Sequence, residues 1–163
     1  MLKKLLFLIA LIIAANSCTR DDLCSEATQK TSKLVIAFKN FNNPLEDRTV
    51  SNLTIISDLG EVTVVDNESI DSVNVPLNTG ADLTSFRFIK YSDDEELINP
   101  DTISFNYQRV DEYINRACSF KTVFFDLNAA VVSEDNNNNW IRSVEIINDT
   151  IENEDEAHIT IYH

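Results

Sequence analysis

Thr102-Ile103-Ser104-Phe105-Asn106-Tyr107-Gln108-Arg109 alternates apolar and polar residues without a break. Ile103, Phe105 and Tyr107 fall on one side, and Thr102, Ser104, Asn106 and Gln108 on the other. Successive side chains of an extended chain point to opposite faces, so this is the pattern of a strand with one buried face. Moving upstream, Thr84 to Tyr91 shows the same period, with Phe86 and Phe88 on one face. Asn78-Thr79-Gly80-Ala81-Asp82 before it has turn composition. Downstream, Val110 to Asn115 reads equally as a helical turn or a strand. Phe120 to Val132 is long, apolar and β-branched, which predicts a central strand.

Further out, Leu34, Ile36 and Phe38 alternate with Val35, Ala37 and Lys39, and Asn42-Asn43-Pro44 ends that strand. Thr49 to Ser57 gives another strand. Asp58-Leu59-Gly60-Glu61 turns the chain into Val62 to Val65, and Asp66-Asn67-Glu68 breaks it again. Ser69 to Pro76 reads as a short or edge strand stopped by its proline. After the loop Asp135 to Asn139, Trp140 to Ile147 and Ala157 to Tyr162 are the last strands. The sum is about eight or nine short strands with no convincing helix, repeat or internal domain boundary. This predicts an all-β chain: a single antiparallel β-sandwich, immunoglobulin-like in general architecture. The antibody signature is absent, because Trp140 follows both Cys24 and Cys118. Only two glycines occur. Asparagine, which tolerates positive φ, is expected to do the turn work.

The N-terminus has a different character. Lys3 and Lys4 precede an unbroken apolar run, Leu5 to Ala15. A bilayer span needs about 20 residues, so the run is too short to cross and matches the apolar region of a secretory signal. Ala14-Ala15-Asn16-Ser17-Cys18 then resembles the lipobox of bacterial lipoproteins, with Ala15 in place of the usual aliphatic residue. By that resemblance residues 1–17 are the signal peptide. Cys18 would carry the lipid, and residues 18–32 would link it to a domain over 33–163. Ordinary cleavage nearby, leaving Cys18 as a free thiol or disulfide partner, is the alternative. Arg20-Asp21-Asp22 resembles a basic-then-acidic surface-export signal of Bacteroidota lipoproteins, and reads equally as a solvated linker. The expected location is the cell envelope, lipid-anchored, on either face of an outer membrane.

The chain carries 13 basic and 27 acidic residues, a net charge of −14. Two basic residues precede Cys18 and all the acidic ones follow it. From Cys18 onward 11 basic residues therefore face 27 acidic ones, a net of −16. Such a charge repels nucleic-acid phosphate and anionic lipid head groups, which excludes nucleic acid as a partner. Beyond Cys18, Cys24 and Cys118 form an even pair, which in an oxidising compartment reads as a disulfide. Closing so long a loop is worth on the order of 4–5 kcal/mol. From the apolar run that begins beside it, Cys118 is expected near the core, against a central strand. A metal site or a reactive thiol is the alternative for the pair. His158 and His163, the two histidines, lie at no zinc-site spacing from a cysteine.

No constellation carries catalysis. Asp93-Asp94-Glu95-Glu96 and Glu152-Asn153-Glu154-Asp155-Glu156 are dense in carboxylates. Paired carboxylates do acid–base work only when held at fixed separation. Consecutive ones in a loop point apart, though they suit weak calcium binding. Asp135, Asn137 and Asn139 begin like an EF-hand loop, but Trp140 stands where glycine belongs and Ile146 where glutamate belongs, so the match fails. No cofactor or metal site is expected. His158, on a strand, reads as a satisfied edge or surface residue. Asp71-Ser72-Val73, Asp101-Thr102-Ile103 and Asp149-Thr150-Ile151 resemble the acceptor triplet of periplasmic O-glycosylation in Bacteroidota. Ser72, Thr102 and Thr150 would be the acceptors, although a turn entering a strand yields the same triplet.

Cys18-Thr-Arg-Asp-Asp-Leu-Cys24, Leu34-Val-Ile-Ala-Phe38, Asn115-Arg-Ala-Cys118-Ser-Phe-Lys121 and Ala157-His-Ile-Thr-Ile161-Tyr-His163 together resemble an uncharacterised family of small Bacteroidota lipoproteins, chiefly flavobacterial. The resemblance implies the lipid anchor, pairing of Cys24 with Cys118, and one all-β domain. It implies no activity. The expected function is a non-enzymatic envelope lipoprotein that contacts a protein or glycan. The competing reading is a hydrolase or carbohydrate-processing accessory using surface carboxylates.

Overall fold

The computed structural model describes residues 23–134 and 138–163. The signal-like run, Cys18, Arg20-Asp21-Asp22 and Asp135 to Asn137 lie outside these residues. Among the described residues there is no helix, and ten strands form in chain order. They are β1 (Leu34–Asn40), β2 (Asn43–Asp47), β3 (Val50–Ser57), β4 (Val62–Ile70) and β5 (Ser72–Val75), then β6 (Leu83–Lys90), β7 (Asn99–Asn115), β8 (Ser119–Val131), β9 (Ser143–Ile146) and β10 (Ile159–Tyr162). One sheet has the order β2-β1-β10-β9, with β5 also on β1; the other runs β4-β3-β6-β7-β8. The two make a β-sandwich. Leu34, Ile36 and Phe38 of β1 and Ile159 and Ile161 of β10 are fully buried, as are Phe86 and Phe88 of β6 and Ile103 and Phe105 of β7. The period-2 pattern thus supplies the inner face of each sheet.

Three local expectations are corrected and one open reading is resolved. The Asn43-Pro44 break opens β2, whose residues are all exposed and which pairs only with β1. Proline, lacking an N–H, is tolerated on such an edge. Asp66-Asn67-Glu68 does not end β4; Asn67 takes φ +50° and the ladder with β3 shifts register there. A bulge absorbs those polar residues without stopping the strand. Val110 to Asn115 continues β7. Finally, β8 is an edge strand, not a central one. Its apolar content fits a closed edge: Phe124 bridges Ile151, and the Leu127 N–H donates to the Asp149 carbonyl at 3.1 Å. The sheets are mostly antiparallel, but β1 and β10 pair in parallel, Ile36 opposite Ile159 and Phe38 opposite Ile161.

The chain falls into two compact units. The larger, residues 31–111 and 122–163, holds the hydrophobic core just described. The described part of the smaller comprises residues 23–30 and 112–121, including the β7–β8 turn. A disulfide joins Cys24 to Cys118 inside this smaller unit, closing a separation of 94 residues with a Cα–Cα distance of 4.8 Å. Cys118 does not lie against a central strand. It sits in the hairpin turn, half-buried, where its N–H donates to the Asn115 side chain at 2.8 Å.

Candidate functional site

In the larger unit, the loop ahead of β9 is fixed by a buried acid. Asp101 of β7 is fully buried. Its carboxylate accepts from the Ile141 N–H at 2.7 Å and from Asn139 Nδ2 at 3.1 Å, and also from the Trp140 backbone. Burial raises its pKa above the ordinary aspartate range, against these hydrogen bonds, which lower it. The clasp aims Trp140 inward, where its indole Nε1 donates to the Phe88 carbonyl at 3.3 Å. The next turn of chain delivers Arg142.

Trp140 and Arg142 line an open pocket of about 270 Å³ with Phe41, Asn42, Arg48, Lys90 and His163. No Asp or Glu side chain lines it among the described residues. Arg48, Lys90 and Arg142 form no ion pair with an Asp or Glu side chain among the described residues. In a chain of net charge −14, three such cations at one spot are an excess of local positive charge. Lys90 Nζ lies 5.1 Å from the Tyr91 ring centroid and 5.5 Å from that of Trp140, so two aromatic faces hold the ammonium. Desolvation, then the nearby Arg48 charge, lower its pKa. Tyr91 takes φ +54°, uncommon for a bulky residue.

His163 closes the back of the pocket and is only 6% exposed. Its Nε2 donates to the Arg48 carbonyl at 3.2 Å, while Arg48 Nη1 donates to a main-chain oxygen of His163 at 2.6 Å. Its buried Nδ1 has no partner among the described residues. Burial pushes its pKa down to about 4, aided by Lys90 and Arg48. The ring is therefore neutral at physiological pH, and the pocket's charge comes from the two arginines and the lysine.

Apart from Trp140 and His163, the residues singled out from sequence lie elsewhere. Asp94 Oδ1 accepts from the N–H groups of Glu96 and Leu97, and Asp93 Oδ2 accepts from Asn52 Nδ2, so that acidic run organises its own turn. Glu154 accepts from the Lys33 N–H and from Asn74 Nδ2, pinning its loop to the sandwich. Asp155 and Glu156 line a second open pocket beside His158. His158 is buried, not on the surface as expected: its Nδ1 accepts from the Val35 N–H at 3.0 Å, and the ring also bonds to the Asn153 backbone. Desolvation lowers its pKa. Both ring nitrogens are thus engaged in structure. No group of three or more His, Cys, Asp or Glu among the described residues is arranged to hold a metal. Of the triplet hydroxyls, Ser72 is exposed at the start of β5. Thr102 is half-buried within β7 behind the fully buried Asp101, and Thr150 is half-buried beside the buried Ile151. The pocket cations escape a sequence reading because Arg48, Lys90 and Arg142 are dispersed along the chain. Trp140, a lone tryptophan just after an asparagine run, is the one available signal.

Fold and site define a small all-β sandwich protein with an open cationic, aromatic pocket. The chain belongs to a family of unknown function, DUF6452, whose model matches residues 52–163. The matched region includes Lys90, Trp140, Arg142 and His163, but begins after Phe41 and Arg48. Neither a curated protein nor a solved structure matches the chain.

Proposed function

We propose that this is a non-enzymatic envelope lipoprotein of Bacteroidota, held to an outer membrane through lipid on Cys18, whose sandwich binds an acidic glycan in the Arg48–Lys90–Arg142 pocket. The observation that carries the binding reading is the gathering of three cations, without an Asp or Glu side chain in the lining among the described residues, around aromatic rings. Guanidinium groups recognise carboxylate and phosphate through charge-assisted hydrogen bonds. Phe41, 49% exposed, offers an apolar face to a sugar ring. The signal-like run ending at Cys18 supports the anchor. Two or three acyl chains would hold stably where one would not.

The tests are separate. Titration with glucuronate, followed by NMR, should shift the Trp140 indole signal, and neutral glucose should not. Arg142→Ala, at an exposed position, should weaken glucuronate binding about tenfold, near 1.4 kcal/mol. Equal response to glucose, or an unchanged Arg142→Ala affinity, would refute the pocket assignment. For the anchor, Cys18→Ser should release the protein from membranes, and retention of the variant with membranes would refute lipidation.

A further inference from the structure

The smaller unit presents apolar side chains that nothing in it covers. Tyr113 is 62% exposed and Phe120 is 58% exposed, yet their rings meet edge to face at 5.4 Å. Leu23, next to the disulfide, is 83% exposed. The hairpin that carries them is held in shape. Asn115 Oδ1 accepts from the Ala117 and Cys118 N–H groups, Lys121 Nζ donates to Gln29 at 2.9 Å and pairs with Glu112 at 3.2 Å, and Cys118 is bonded to Cys24. Rigid, paired and exposed aromatics form a surface that suits a partner with both apolar and polar character.

We propose that this hairpin tip is a second, non-covalent contact with the lipid surface, with Tyr113 and Phe120 seated at head-group level. Two observations select lipid over other occupants. The first is reach: roughly six residues separate Cys18 from Cys24, and such a segment extends at most about 20 Å. Because Cys24 is bonded to Cys118, the same short tether holds the tip as well as the N-terminal segment. This step rests on the lipidation of Cys18 proposed above. The second is charge. From Cys18 onward this unit carries Arg20, Lys30, Arg116 and Lys121 against Asp21, Asp22, Glu26 and Glu112, a net of zero in a chain of −14. The repulsion expected between the whole chain and anionic head groups is therefore absent at this unit. Aromatic side chains with one polar end prefer the membrane interface, which fits Tyr113 beside Phe120.

The test uses the full acylated protein in phosphatidylethanolamine–phosphatidylglycerol vesicles, with and without brominated acyl chains. Phe120→Trp places a fluorescent reporter at the exposed tip. The wild-type protein, whose single tryptophan is the buried Trp140, supplies the background. The expected result is a blue-shifted emission from the introduced indole, quenched at least twofold by the brominated lipid, beyond the wild-type change. Protein that floats with the vesicles while its tip emission stays red and unquenched would overturn the tip contact and leave the anchor standing. Protein that does not float would remove the anchor and the tip contact together. A tip unquenched in vesicles but blue-shifted in native envelopes would assign it to a protein partner and equally overturn the lipid contact.

Discussion

Asp101→Ala is the most informative single change in the sandwich, because one buried carboxylate fixes the loop that builds the pocket. Removing it leaves the N–H groups of Ile141 and Trp140 and one Asn139 amide hydrogen without their acceptor. Each buried donor left unpaired costs about 1–3 kcal/mol. Asp101 carries a desolvation penalty of its own, shown by its raised pKa, and losing that penalty offsets part of the damage. The expected net loss is about 3 kcal/mol. At roughly 2–8 °C per kcal/mol for domains near this size, the melting temperature should fall by about 10 °C. Asp101→Asn keeps the shape and one acceptor and should lose about half as much. The sign with pH follows from the raised pKa: the folded state binds the Asp101 proton more tightly than the unfolded state. This carboxyl's contribution to stability therefore falls as pH rises from 3.8 through the folded pKa, and is lowest when the group is ionised. Thermal and urea melts at pH 7, with glucuronate titration of each folded variant, are the assay. An Asp101→Ala protein that melts within about 2 °C of wild type, or that keeps full affinity, would refute the reasoning.

Two further outcomes are expected. Reducing the Cys24–Cys118 disulfide should cost on the order of 4–5 kcal/mol by loop entropy and lower the melting temperature by about 15 °C; an unchanged melt would refute its stabilising role, and two freely labelled thiols in the unreduced protein would refute the bond itself. For His163, with a folded pKa of about 4 against 6.5 unfolded, the unfolded state binds the extra proton between those values. The histidine therefore contributes on the order of 3 kcal/mol above pH 6.5, lost as pH falls toward 4, and a ring NMR titration with a midpoint near 6.5 would contradict this.

The strands that can be read directly are those with one wet face. Thr102 to Arg109 and Thr84 to Tyr91 alternate because one side of each packs into the core. Where both faces are exposed, as in β2, no alternation marks the strand, and composition points to a turn. Asp66 to Glu68 sits in β4, an edge strand that is largely exposed, so polar residues there disturb little. Phe120 to Val132 misleads for another reason: the adjacent Val123 and Phe124 are both buried, as in a central strand, because residues 149–151 close its outer edge, and a residue pattern does not report which edge is covered. The cysteine pair can be read as such, but its placement in a hairpin turn cannot. The pocket leaves almost no trace, because its cations become neighbours only when the β2–β3 link, the end of β6 and the loop ahead of β9 converge.

The parallel pairing of β1 with β10 has a consequence for how the protein is made. Val35 and His158, bonded across that seam, are 123 positions apart in the chain. As the chain emerges from a ribosome or a translocation pore, β1 appears early and its neighbour on that side appears near the end. Contacts of such separation are slow to form. Throughout that interval Leu34, Ile36 and Phe38 belong to a strand with one unpaired edge, the state in which nascent β-proteins associate wrongly. Any chaperone that holds the chain extended would therefore have to act until Ile159 to Tyr162 is free, and a truncation removing only β10 would leave a sticky edge in the middle of a sheet.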